Sequence, residues 1–408
     1  MKSIDDFDYN GKTVLLRVDI NSPIDPKTKR IVNENRIVKS LPTLKKLLDR
    51  GARLAIIAHQ GDTLDYQNLI PMAEHAARLA SLLDRRVDYI DDVCGPAAQE
   101  KIRTLAPGEA VLLGNLRYLS EEISTFENAV KLRPGEMLDT WLVRSLAPLV
   151  DYYVNDAFAA AHRNAPSMVA FQELKPTAAG DLLFNEVAAL NRVMASPEHP
   201  CVFILGGAKI SDAFGMMKQV LEAGTADRIL TCGITGQIML LAAGHRLGET
   251  SEKFLRDREL DKFVPDARAY LEEFPEHMVC PLDLAYENEG RRQEIKVDDL
   301  PSEIMIMDIG SRTIEHYSQL IGEARTLFVN GPAGVYENPL FEAGTRSIWE
   351  AIAASPGYSV IGGGDTVTAA TRFVDLEKID YVCTAGGAMV RYLSGKTLPL
   401  IEAMERAG

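Results

Sequence analysis

Short runs of β-branched and apolar residues alternate along the chain with longer stretches whose apolar positions recur every three or four residues. That alternation predicts an α/β fold, with mainly parallel sheets wrapped in helices. In the first half, residues 14–18, 54–58, 111–113 and 152–154 read as strands. Between them, 37–49 carries Leu41, Leu44, Leu47 and Leu48 on one helical face, with Asn33 or Asn35 as its cap, and 73–83 has the same period. Residues 171–196 are helically spaced after Pro176, through Leu182, Leu183, Val187, Leu190 and Val193, and read as a connector. The second half repeats the alternation, with strands expected at 202–205, 228–231, 304–307, 326–329, 358–361 and 381–384.

At 408 residues the chain exceeds what one core commonly supports, so two domains are expected. They are placed at 1–175 and 197–392, joined by a helix at 176–196; the tail 393–408, apolar at Leu398, Leu400, Ile401 and Met404, packs back on the first. A net charge of −14 argues against a nucleic-acid or anionic-membrane surface. Any anion site must then be a local concentration of Arg, His or Lys. The five cysteines are scattered, with no Cys-x-x-Cys pair to hold a metal, and Cys201, Cys232, Cys280 and Cys383, in apolar strand-like runs, read as reduced thiols. The first residues lack an apolar signal core and no run approaches ~18 apolar residues, so a cytoplasmic protein without a membrane partner is expected.

The candidate chemistry is concentrated in the loops at the strand ends. In the first half these loops read Arg17-Val18-Asp19-Ile20-Asn21, His59-Gln60-Gly61, Gly114-Asn115-Leu116-Arg117, and Asn155-Asp156 with His162-Arg163 beyond, while Arg36 opens a helix. Parallel sheets bind ligands outside the carboxyl ends of their strands, so these loops are expected to share one edge. Each Arg or His alone is equally explained as a solvated charge or an ion-pair partner. Their recurrence at equivalent positions points to a small, doubly anionic ligand, because guanidinium forks suit carboxylate and phosphate oxygens.

The second half ends its strands differently, in Gly206-Gly207, Gly233, Gly310, Gly331-Pro332-Ala333-Gly334, Gly362-Gly363-Gly364-Asp365 and Ala385-Gly386-Gly387. Backbone N–H groups delivered by several such turns suit a nucleotide polyphosphate, with Lys209 adding a mobile charge. The spacing is not that of a Walker A loop. Asp365 fits either a Mg²⁺ ligand or a helix cap, and Glu337 either a ribose contact or a solvated carboxylate.

Taken in order, the motifs Arg17–Asn21, Asn115-Leu116-Arg117-Tyr118, Asn155–Arg163, Leu205–Lys209, Asn330–Glu337, Gly362–Thr366 and Leu393–Pro399 closely resemble phosphoglycerate kinase, in its archaeal-type branch, from end to end. The resemblance implies two Rossmann-like three-layer domains joined by a helix and a hinge. It implies reversible, Mg²⁺-dependent phosphoryl transfer between 1,3-bisphosphoglycerate with ADP and 3-phosphoglycerate with ATP, with domain closure bringing the substrates together. By resemblance, Asp19, Asn21, Arg36, His59, Arg117 and Arg163 hold the acid, and Arg36 and Lys209 are catalytic. Gly206, Gly207, Lys209, Asn330, Glu337, Gly363, Gly364, Asp365, Thr366, Gly386 and Gly387 hold the nucleotide, and Asp365 the metal. A monomer is expected, with a homodimer as the alternative.

Four departures stand out. Asp62 and Thr63 occupy positions where the family commonly has arginine and proline; Ala213 replaces a second lysine, Ala385 a glycine, and Ala333 a larger residue. They leave two alternatives: action on another phosphorylated carboxylate, or nucleotide binding without turnover.

Overall fold

The computed structural model describes residues 1–61 and 69–407. Asp62 and Thr63 lie outside the described residues. Two compact units result, Met1–Val187 with the tail from Thr397, and Ala188–Lys396.

The first unit is built on six parallel strands: β1 (Thr13–Val18), β2 (Arg53–Ile57), β3 (Val87–Tyr89), β4 (Ala110–Leu112), β5 (Tyr152–Asp156) and β6 (Thr177–Ala179), in the order β3-β4-β2-β1-β5-β6. All six residues of β1 are buried, as a strand covered on both faces requires; this is why its sequence, Arg17 apart, is mostly apolar rather than an alternation. Successive strands step from β1 to β2 on one side and later continue at β5 on the other, so the topological switch lies between β1 and β5.

The helix Asn35–Asp49 buries Ile37, Ser40, Thr43, Leu44, Leu47 and Leu48 against this sheet. Neither asparagine caps it. Glu34 is the N-cap and makes no side-chain cap bond, while Asn33 Oδ1 accepts the Asn35 N–H at 2.8 Å in the turn just before. The expected long helix after Pro176 is also shorter: Thr177–Ala179 pairs as β6, and the helix is Asp181–Met194. The tail helix Pro399–Ala407 docks within the same unit, where the Leu400 N–H donates to the Ala161 carbonyl and Met404 Sδ lies 3.7 Å from Gln172 Nε2.

The second unit repeats the plan with β7 (Cys201–Leu205), β8 (Arg228–Thr231), β9 (Met278–Val279), β13 (Thr326–Asn330), β14 (Tyr358–Ile361) and β15 (Tyr381–Val382), in the order β15-β14-β13-β7-β8-β9. Its switch lies between β7 and β13. A separate antiparallel sheet, ordered β11-β10-β12, contains β10 (Asp283–Asn288), β11 (Arg291–Lys296) and β12 (Ile306–Ile309). The strand expected at 304–307 is therefore shifted to β12 and belongs to this small sheet, which removes Gly310 from the glycine edge of the parallel one. All five cysteines are free thiols. Among the described residues no helix is long and apolar enough to cross a membrane.

Candidate functional site

In the first unit the loops after β1, β2 and β4 are locked together by amide side chains. Asn115 Nδ2 donates to the Gln60 carbonyl at 2.9 Å, and its Oδ1 accepts the N–H groups of Gln60 and Arg117. The Gln60 side chain pairs with both backbone groups of Ser22 and accepts from His75 Nε2, all at 2.9 Å. Burial holds His75 down to about 4, so it is a neutral donor in this strut.

On this frame Asp19, nearly buried, accepts the Asn21 N–H through Oδ1 at 3.1 Å and Arg36 Nη1 through Oδ2 at 2.7 Å. Asn21 Oδ1 receives the Gly61 N–H at 2.9 Å. Arg163 Nε meets Glu127 Oε2 at 2.7 Å, while its Nη2 is buried without a hydrogen-bond partner among the described residues. Arg117 reaches the Glu122 carbonyl at 2.5 Å.

His59, 6% exposed, stands amid these groups. Burial first, then the charges of Arg17, Arg117, Arg36 and Arg163, hold its imidazole well below the ordinary range. Four guanidinium groups thus share one electrostatic neighbourhood, although Arg36 and Arg163 each also hold a carboxylate. Sequence reasoning placed Arg36, Arg117 and Arg163 here but gave no role to Arg17, which is 3% exposed inside β1 with its Nη2 2.8 Å from His59 Nδ1. A charged residue in an otherwise apolar buried strand is the signal that marks it.

In the second unit the turns at the switch point are stitched to one another through the backbone. Gly206 N–H donates to the Asn330 carbonyl at 2.9 Å, Gly207 N–H to Pro332 at 2.8 Å and Gly233 N–H to Ala333 at 2.9 Å. The approach is so close that a Cβ on Gly331 (φ +89°) would lie 2.3 Å from the Gly206 carbonyl oxygen. Thr366 Oγ1 accepts the Gly331 N–H at 2.8 Å, and Asn330 Nδ2 donates to the Gly362 carbonyl at 2.8 Å.

Around these turns lies a cavity of about 350 Å³. Its lining includes every residue expected at the nucleotide site except Glu337: Gly206, Gly207, Lys209, Asn330, Gly363, Gly364, Asp365, Thr366, Gly386 and Gly387. Four helices begin at this cluster of turns: Ile210–Glu222, Gly233–Ala242, Gly364–Phe373 and Gly386–Leu393. Their N-cap residues, Lys209, Cys232, Gly363 and Ala385, make no side-chain cap bond. No N-cap side chain satisfies the first-turn N–H groups as a Ser or Asp cap would, and a helix start of this kind suits an anion. Asp365 sits inside its helix rather than capping it, and pairs with Lys209 Nζ at 3.4 Å.

A second cavity, about 400 Å³, shares Gly207, Ala208, Pro332 and Asp365 with the first and is lined by Ile234, Phe254, Leu284, Met307 and Val335, with Glu337 among the wall residues. One wall comes from β12, braced by a pair that the sequence did not reveal, between half-buried Arg292 and buried Asp308: Arg292 Nη1 to Asp308 Oδ2 at 2.8 Å, with the Gly344 N–H donating to the same oxygen. Of the departures, Ala213 and Ala333 are buried and Ala385 is the N-cap of Gly386–Leu393. A polar compartment beside an apolar one, joined at a glycine turn, matches a polyphosphate carrying a flat aromatic base.

A family model described as phosphoglycerate kinase matches residues 4–396. A phosphoglycerate kinase of Methanothermobacter thermautotrophicus is 42% identical over 406 residues, 100% of this chain and 97% of that protein. One from Thermococcus kodakarensis is 42% identical over 411 residues, covering 99% and 97%. Among solved structures, the phosphoglycerate kinase of Pyrococcus horikoshii OT3 superposes with a TM-score of 0.84 at 37% identity, covering 100% of this chain and 99% of that one. That of Coxiella burnetii gives 0.85 at 30% identity, with the same coverage.

Proposed function

The chain belongs to the phosphoglycerate kinase family, and from that premise we infer that it catalyses reversible phosphoryl transfer between ATP and the carboxylate of 3-phosphoglycerate, giving ADP and 1,3-bisphosphoglycerate. The observation that carries this reading is the division of chemistry between the units: side-chain cations gathered around His59 in one, helix N-termini without side-chain caps around a glycine-lined cavity in the other.

The basic cluster suits 3-phosphoglycerate, whose phosphate and carboxylate offer oxygens to Arg36, Arg117 and Arg163, with Asp19 holding Arg36 and Asn21 holding the loop after β2. The second unit suits ATP or ADP, with phosphates against the amides of Gly206, Gly207, Gly363, Gly364, Gly386 and Gly387 and the base in the apolar compartment. Asn330 and Thr366 hold the turns, and Glu337, in the wall of the apolar cavity, would accept from a ribose hydroxyl.

Mg²⁺ fits this donor set in a limited way. Among the described residues no three His, Cys, Asp or Glu groups converge on one point, so Asp365 would hold the ion together with phosphate oxygens and water, the usual manner for this hard cation. When bound, it would offset negative charge on the phosphates.

In the transfer, a carboxylate oxygen of the acid forms a bond to the terminal phosphorus while the bond to the bridging oxygen breaks, leaving the electron pair on the β-phosphate of ADP. No covalent enzyme intermediate is involved. Arg36 and Lys209 supply positive charge to the equatorial oxygens, where it builds in such a transition state. Turnover therefore requires the acid's carboxylate to reach the nucleotide's terminal phosphate with water excluded.

A coupled assay with ATP, Mg²⁺ and 3-phosphoglycerate, alongside calorimetric titration of each substrate, tests the reading. Nucleotide binding without ADP release in the presence of the acid would overturn it in favour of a binding protein. Stronger turnover with a different phosphorylated carboxylate would replace the acid.

A further inference from the structure

His59 Nδ1 lies 2.8 Å from Arg17 Nη2, and a guanidinium group can only donate. The lone pair must therefore be on Nδ1, which leaves Nε2 as the nitrogen that carries the proton of a neutral ring. Arg17 is itself held at every nitrogen by buried partners. Its Nη1 donates to the Val18 carbonyl and its Nε lies 3.4 Å from Ser167 Oγ. Ser167 is directed in turn: its hydroxyl lies 2.6 Å from Glu122 Oε2, and its N–H donates to Glu122 Oε1 at 2.6 Å. The series Glu122, Ser167, Arg17, His59 is buried throughout, so no solvent is at hand to reverse any of its bonds. The last bond keeps its direction whatever the protonation of Glu122, because Arg17 has nothing to accept with.

Charged groups reach the Arg17–His59 pair from several surrounding elements. Arg17 and Asp19 come from β1 and its end, Arg36 from the helix Asn35–Asp49, Arg117 and Glu122 from the turns after β4, and Arg163 from beyond β5. The four arginines all oppose a second proton on the ring, as does burial. Glu122 lies beside Arg17 and Arg117, where it offsets their charge.

We propose that Arg17 is a positioning residue that fixes His59 as the neutral Nε2–H tautomer. Resting on the reading of this cluster as the acid site, His59 then meets the acid's oxygens as an uncharged donor, and the arginines alone supply positive charge. Had His59 been a cation, acid affinity would fall across its titration range; as a locked neutral donor it contributes no such step.

The test is ¹⁵N NMR of the histidine side chains in the ligand-free protein, with His59 assigned by its loss in His59→Gln. The expected result is a protonated Nε2, a bare Nδ1 and no titration between pH 8 and 5. In Arg17→Met the ring is released: Nδ1–H becomes populated, the titration moves up by about one pH unit or more toward the ordinary ~6.5, and the Kd for 3-phosphoglycerate acquires a matching pH dependence. Arg17→Lys, which keeps a donor, restores the wild-type tautomer. If Arg17→Met does not fold, Ser167→Ala, which removes the hydroxyl shared by Arg17 Nε and Glu122, is expected to loosen Arg17 and let Nδ1–H become partly populated. Nδ1–H or a doubly protonated ring at pH 7 in the wild type overturns the proposal, as does an unchanged spectrum in Arg17→Met. Failure of 3-phosphoglycerate to bind would instead remove the acid-site reading and leave the ligand-free tautomer result standing.

Discussion

Lys209 Nζ stands 3.4 Å from Asp365 Oδ2, with both side chains about two-thirds exposed. Each comes from the start of a different helix, so the pair bridges two of the uncapped N-termini around the polar cavity. An ion pair this exposed is worth well under ~1 kcal/mol. A polyphosphate that brings a cation for Asp365 and oxygens for Lys209 can exchange it at little cost.

Lys209→Ala is expected to lower kcat at least ~10²-fold while changing nucleotide KM only a few-fold, because its charge acts on the migrating group whereas the backbone amides hold the phosphates. Steady-state kinetics against both substrates decide it. Near-normal turnover in the variant would remove Lys209 from the chemistry.

Asp365→Ala separates metal from nucleotide. With excess Mg²⁺, ADP affinity is expected to fall roughly tenfold, about 1.4 kcal/mol. With chelator present, affinity is expected to hold or rise, because a carboxylate no longer faces the phosphates. Calorimetry under the two conditions reads this directly, and an equal loss in both would assign Asp365 a structural role.

Two glycines give opposite outcomes. In Gly206→Ala the new Cβ would lie 2.4 Å from the Pro332 carbonyl oxygen and 2.7 Å from Cys232 Sγ, which forces the stitched turns apart; a loss of about 1–3 kcal/mol is expected in unfolding experiments. A Cβ on Gly387 meets nothing within 4 Å and extends a helix start, so Gly387→Ala keeps or gains stability. Its expected defect is in nucleotide affinity alone, since the methyl group would stand where a phosphate approaches the amide.

Asp156 sets a pH dependence. It is fully buried at the end of β5, and burial pushes its carboxyl up to about 6, against the lowering effect of the Thr43 hydroxyl and the Leu183 N–H at 3.0 Å. Because the folded state binds this proton more tightly than the unfolded chain at ~3.9, acid stabilises: the contribution is full below about pH 3.9 and is lost as pH rises through 6, up to about 3 kcal/mol in all. Asp156→Asn should erase that slope, so the stability difference between variant and wild type, measured by urea unfolding, grows in favour of the variant from pH 4 to pH 8. Parallel curves would show that Asp156 does not titrate there.

Much of the frame was legible because its physics is local. β7, β8, β13 and β14 are buried on both faces, and their apolar runs ending in glycine announce both strand and loop. β3, β6 and β9 escaped notice, being two or three residues long. β11, Arg291–Lys296, is charged and mostly exposed, and only its pairing with β10 makes it a strand. Asn33 and Asn35 carried the chemistry of a cap, yet the N-cap is Glu34, which lies between them and makes no side-chain cap bond. The cations on loops were readable as candidates, whereas the role of Arg17 against His59 and the Arg292–Asp308 pair were not, because a charge inside an element acquires meaning only from the groups the fold brings to it.

The helix Pro399–Ala407 belongs to the first unit although Ala188–Lys396 precedes it in the chain. During synthesis the ribosome takes roughly 10–40 s to make that intervening stretch. Throughout that interval the apolar seat beside Ala161 and Gln172 has no helix to cover it. The unit translated first is therefore completed only after the second has been made, and the nascent chain carries its open surface until residues 399–407 leave the exit tunnel.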